Sequence, residues 1–149
     1  MNDTTQKIIV SLFFGFIGTF ASEKLHSAYL AKFLTDNLLM LLIAVLAINA
    51  TTVTVLIDKI GRIQQENPQL SFEPTRKEIR KSIIEQIILI SVTFIVLICA
   101  SSDTLKCYPM CETIAMTILT ASLIYDIYLL WDAVNGVFVI DSFYKNKAK

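Results

Sequence analysis

From residue 38 to residue 57 the chain carries no charge, and Asp36 and Asp58 close the run on its two sides. Crossing the hydrocarbon of a bilayer takes about 20 apolar residues at about 1.5 Å of rise each, so this stretch has the length and purity of a helix made to lie in lipid. The rest of the chain agrees: 54% of its 149 residues are apolar and its mean hydropathy is +0.61, more than a soluble domain of this size can enclose.

Three further runs follow the same rule. Residues 83–100 hold one charge, Glu85, a turn inside the edge, where a long side chain still reaches the headgroups. Residues 113–140 hold Asp126 and Asp132 and exceed the thickness of a membrane, so that helix must tilt, kink or protrude. The first run, residues 8–21, is short for a span and fits an interfacial or re-entrant helix as well. A cleaved leader is the other reading of it, opposed by a start in which Asp3 offsets Lys7 and by an indifferent cleavage site at Thr19 and Ala21. The expectation is an all-α integral membrane bundle of one domain over residues 1–149, with three firm transmembrane helices and a short N-terminal fourth.

The distribution of Lys and Arg orients it. One lies before the first run, two in residues 22–37, six in residues 58–82, one before the last run and three in the tail. Basic residues stay on the cytoplasmic side, which places the 58–82 connection and Lys145, Lys147 and Lys149 inside. Both termini are then cytoplasmic if all four runs span. Cys107 and Cys111 flank Pro109 in the connection this topology puts outside, where either a disulfide or two inert thiols would serve. Two thiols alone make a poor zinc site, so no metal is expected, and Cys99 reads as a small buried residue within an apolar run.

Ser11, Gly15, Gly18 and Ser22 recur at spacings of four, three and four, a stripe of small residues that lets two backbones approach in lipid. It serves either as an oligomer seam or as a packing face within one chain. Ala44, Ala47, Thr51 and Thr54 repeat the device on the second helix, where Asn49 adds an amide that needs a partner. Thr75 with Glu78 three residues on, after Pro74, reads as a capping box that starts the third helix before the membrane. Arg76 and Arg80 lie one turn apart, as do Lys77 and Lys81, and Lys59 and Arg62 approach from the other arm of the connection. Residues 58–82 thus read as a cytoplasmic helical hairpin with a basic face. Arg62, Arg76, Lys77, Arg80 and Lys81 suit an anionic ligand, and equally suit anchoring to anionic lipid.

An aspartate in mid-span costs on the order of 3 kcal/mol, so Asp126 requires water, a partner or a proton. Asp132 lies six residues on, about 9 Å nearer the cytoplasm, on a face with Tyr125, Tyr128 and Asn135. With Glu85 and Asn49 these acids are the candidate intramembrane polar groups: Asp126 either lines a water-filled path that favours cations or is protonated or hydrogen-bonded between helices, and Asp132 reads as reaching the inner interface beside Trp131. Catalysis is not expected. The chain has a single histidine, His26, no glycine-rich phosphate loop and no nucleophile with a visible base, and no cofactor motif.

Three classes remain: an oligomeric pore-forming effector, a holin-like lysis protein or accessory subunit with no specific ligand, and a small coupled transporter that would need several copies to enclose a site. Four apolar helices, a first one rich in phenylalanine (Phe13, Phe14, Phe16, Phe20) and a charged cytoplasmic connection without an enzyme domain resemble the small transmembrane effectors of bacterial anti-phage defence. Within that group the layout is most similar to the Hailong-type effector. The resemblance implies a homotetrameric, nucleotide-gated ion channel of the bacterial inner membrane, held closed by a DNA oligomer that a partner nucleotidyltransferase makes. Released during infection, it would collapse the membrane potential, an abortive infection. Ligand contact would then fall to Arg62, Arg76, Lys77, Arg80 and Lys81.

Overall fold

The computed structural model describes residues 3–66, 68–69, 71–102 and 109–147. It is all-α, a bundle of four helices: α1 (Asp3–Lys24), α2 (Tyr29–Glu66), α3 (Glu73–Ser101) and α4 (Pro109–Lys147). Each is long and apolar enough to cross a membrane. The first is therefore not the short element expected. Its apolar run is extended at both ends by polar residues that keep helical geometry, giving 22 residues, about 33 Å of helix. α2 and α4, at 38 and 39 residues, reach about 57 Å, nearly twice the thickness of the hydrocarbon.

The helices run alternately up and down. Arg76 meets Gln64 at one end of the α2–α3 pair, while α1 lies antiparallel to α4, with Lys7 at Asp132 and Glu23 at Thr113. The start of α1, the described residues of the 58–82 hairpin and Asp132 therefore share one end of the bundle. α4 packs against all three other helices, and 44% of its apolar window is buried, against 11–17% for the others. The helix with intramembrane acids is thus the hub, where its neighbours can supply hydrogen bonds that lipid cannot.

Two apolar clusters hold the two ends. Leu34, Leu38 and Leu42 of α2 pack on Leu119 of α4, with Leu89, Val96 and Leu97 of α3 around them. At the hairpin end Leu56, Ile60 and Ile63 pack with Phe72, Ile79 and Val137. The buried positions of α2 (34, 38, 42, 49, 56, 60 and 63) follow one stripe at spacings of three, four and seven, a packing seam that a run apolar on every side conceals in the sequence. Outside the bundle Phe13, Phe14, Phe16 and Phe20 of α1 are exposed, as lipid-facing residues would be. Hydroxyls on the spans, among them Thr35, Thr52, Thr54, Ser91 and Thr117, bond the carbonyl one turn back.

Local signals explain the ends. His26 has φ 50°, its N–H donates to the Glu23 carbonyl, and the Ser27 N–H donates to that of Ser22, which is a Schellman closure of α1 with histidine in the left-handed place. At the start of α3 the expected capping box is not formed. The helix begins earlier: Phe72 is the N-cap without a side-chain bond, Pro74 lies in the first turn, and Thr75 is already helical. Proline, whose ring presets φ and whose missing N–H leaves nothing unsatisfied there, sets the start instead.

Candidate functional site

Between the two apolar clusters a line of polar side chains crosses the bundle. Asn49 Nδ2 of α2 donates to Gln86 Oε1 of α3 at 2.9 Å, and Gln86 Nε2 donates to Asp126 Oδ1 of α4 at 2.7 Å. The three residues are 3%, 1% and 1% exposed. Three helices thus each contribute one group to a sealed network. Asn49 and Asp126 stand out in the sequence as costly residues, but the residue that joins them does not. Gln86 adjoins Glu85 in a run where the charge draws attention, yet an uncharged amide inside an apolar span is itself the signal.

One helical position away, the next pair of residues forms a second layer. Tyr125 OH donates to Glu85 Oε2 at 3.2 Å, Thr4 Oγ1 donates to Glu85 Oε1 at 3.4 Å, and Lys81 Nζ donates to Thr4 Oγ1 at 3.0 Å while lying 3.6 Å from Glu85 Oε1. Glu85 is therefore held by α1, α3 and α4, not extended to the headgroups as expected. Beside it Lys7 forms an ion pair with Asp132, both partly exposed. Neither Thr4 nor Lys7 stands out in the sequence, since only the antiparallel approach of α1 brings them here.

These groups line a cavity of about 370 Å³ at the hairpin end, whose walls include Thr4, Lys7, Glu78, Lys81, Ser82 and Asp132. It opens next to the Glu85–Tyr125 layer, and the residues following these two in the chain, Gln86 and Asp126, belong to the sealed network. Consecutive residues of a helix point about 100° apart, so the cavity with its Glu85–Tyr125 layer and the sealed network are two neighbouring polar groups on different faces of α3 and α4.

The five cations expected to contact a ligand divide. Arg62, Arg76, Lys77 and Arg80 are exposed on the hairpin, with Arg76 Nη2 donating to Gln64 Oε1 at 3.3 Å. Lys81 instead turns to Thr4 and Glu85, the local pairing that its spacing from Glu85 allows. The small-residue stripe of α1 faces α4. A Cβ on Gly15 would lie 2.7 Å from the Thr117 carbonyl oxygen and 2.9 Å from the Ala121 nitrogen, and one on Gly18 would lie 3.4 Å from Thr120 Cγ2. Ser11 and Gly15 are buried, while Ser22 Oγ donates to the Ser27 carbonyl in the turn. Gly15 thus makes the close approach to α4 of the same chain, while Gly18 and Ser22 remain partly exposed.

The Cys107–Cys111 pairing involves Cys107, which lies outside the described residues. Cys111 shares a cavity of about 260 Å³ with Cys99, from the opposite helix, at the end away from the hairpin, and Cys99 is exposed, not buried as expected, because its side of α3 is left uncovered by the bundle. Among the described residues no group of three or more His, Cys, Asp or Glu could hold a metal. Comparison with protein-family models, with curated proteins and with solved structures finds no match in any of the three.

Proposed function

We propose that this chain is a membrane effector that passes small cations across the bilayer as a homo-oligomer, under control of an anionic ligand at its cytoplasmic hairpin. The observation that carries the reading is the pair of polar groups within an otherwise apolar bundle, the hairpin-end cavity with Glu85 and Tyr125 and, next to it in the chain, the buried Asn49–Gln86–Asp126 network. A bundle that only needed to be stable in lipid would gain more from apolar packing at these positions, since buried polar groups are expensive there and mark ion or proton routes. Carboxylates outnumber amines on the cavity wall, with Glu78, Glu85 and Asp132 against Lys7 and Lys81, which favours cations over anions.

Assembly would use a face that the single chain leaves open. Ala44, Ala47, Thr51 and Thr54 of α2 are all exposed, whereas Ser11 and Gly15 of the matching stripe of α1 are buried. Control would fall to Arg62, Arg76, Lys77 and Arg80, whose guanidinium and ammonium groups suit the phosphates of a nucleotide or short DNA oligomer. An anti-phage role, with a nucleotidyltransferase supplying that ligand, follows from the resemblance in layout. The accessory or holin-like reading differs in needing neither ligand nor selective flux.

Reconstitution tests it. Purified protein in liposomes should dissipate an imposed potassium diffusion potential, and Asp126→Ala should change the flux at least tenfold. Reversing Arg76, Lys77 and Arg80 to Glu should weaken binding of short oligonucleotides while leaving the oligomer intact. No flux from a correctly inserted wild-type protein would remove the channel reading, and undiminished oligonucleotide binding by the reversed protein would remove the ligand reading.

A further inference from the structure

We infer that Asp126, through the free oxygen at the α4 end of the Asn49–Gln86–Asp126 network, binds one small cation, a proton or an alkali-metal ion, in the middle of the bundle. The inference builds on the conduction reading by naming where the ion rests. It follows from the direction of the hydrogen bonds. A carboxylate oxygen accepts, so Gln86 must turn its NH2 group to Asp126, as it does at 2.7 Å. The opposite orientation would aim the amide carbonyl at the carboxylate. With its NH2 committed, Gln86 presents its oxygen to α2, and Asn49 must answer with its own NH2, as it does at 2.9 Å. The orientation of both amides is therefore dictated by Asp126.

The consequence is a surplus of acceptors. Asn49 Oδ1 at one end and Asp126 Oδ2 at the other are buried, and neither has a hydrogen-bond partner. Both are oxygen atoms, and both belong to residues no more than 3% exposed. A network that ends in lone pairs on both sides and carries a carboxylate lacks positive charge, and burying such a group without compensation is among the costlier arrangements a fold can hold. The charged groups nearby do not supply it. On α4 Asp132 is paired with Lys7 of α1, and on α3 Glu85 is engaged by Lys81, Thr4 and Tyr125, while α2 brings only the uncharged Asn49. Thr93, whose buried hydroxyl is also unpartnered, lies two turns from Gln86, about 10 Å along α3, beyond the reach of the same ion. Carboxylate and amide oxygens are hard donors, which suit a proton or a sodium-like ion and not a soft metal.

Equilibrium measurements test this without any flux, so failure here and failure of the channel reading are distinguishable. Thermal unfolding of the detergent-solubilised full chain, followed by tryptophan fluorescence, is measured in sodium chloride and in N-methylglucamine chloride at equal ionic strength. Sodium occupancy predicts a midpoint that rises with sodium alone, and an apparent affinity at least tenfold weaker in Asp126→Asn. Proton occupancy predicts no sodium response and an infrared carboxylic-acid band at neutral pH. That band shifts when the wild-type chain is made with carboxyl-13C aspartate, a readout that needs no variant to fold, and it is lost in Asp126→Asn. A wild-type protein with neither a sodium-dependent midpoint nor an aspartic-acid band overturns the inference.

Discussion

At the scale of single residues, the glycines and the buried glutamine make unequal contributions that substitutions can separate. Gly15 is pressed against backbone atoms of α4 that cannot move aside, so Gly15→Ala should force α1 outward and destabilise by about 1–3 kcal/mol. Gly18→Ala meets only a threonine methyl at 3.4 Å and should be nearly neutral. A Cβ added at Gly61 would have nothing within 4 Å, and the residue lies inside α2, so Gly61→Ala should stabilise by about 1 kcal/mol through helix propensity alone. Thermal unfolding in detergent would rank the three, and a Gly15→Ala protein as stable as wild type would contradict the packing. Gln86→Leu strands both the Asn49 NH2 and Asp126 Oδ1, each costing about 1–3 kcal/mol, whereas Asn49→Leu strands only Gln86 Oε1. The first variant should therefore be the less stable, and the reverse order would show that Gln86 is not the link.

At the scale of elements, turn geometry yields a further expected outcome. His26 adopts a left-handed φ that costs a non-glycine residue about 1–2 kcal/mol, so His26→Gly should raise stability by about 1 kcal/mol; a fall would mean that the imidazole itself contributes. The single histidine thus closes a helix, a role that no sequence spacing announces. The apolar runs locate all four helices, because lipid exposure leaves an uninterrupted apolar signature. They do not locate the ends, because α2 continues through charged Asp58, Lys59 and Arg62, past Gly61, and α1 through Lys7. Asp126 and Asn49 are legible as costly residues. Their link through Gln86, and the meeting of Lys7 with Asp132, are not, since each depends on which helices are neighbours and in which register. In a helix apolar all round, the buried side leaves no pattern to read.

At the scale of the whole molecule, α4 is the axis on which the other three helices are hung, and the outer faces of α1, α2 and α3 are left to lipid or to other copies. If copies meet along α2, Ala47→Trp should block the approach and lower the oligomeric state in detergent, read by light scattering, while Phe16→Trp on α1 should leave it unchanged. Equal effects would place the seam elsewhere. Every role assigned to these residues depends on the four helices being threaded through a bilayer in alternating directions. The most direct test is labelling of single cysteines, in a chain lacking its native ones, by an impermeant maleimide applied to oriented vesicles. Gln69→Cys in the hairpin should react only from the cytoplasmic side and Ser27→Cys in the α1–α2 turn only from the opposite side. Reaction of both from the same side would contradict the threading.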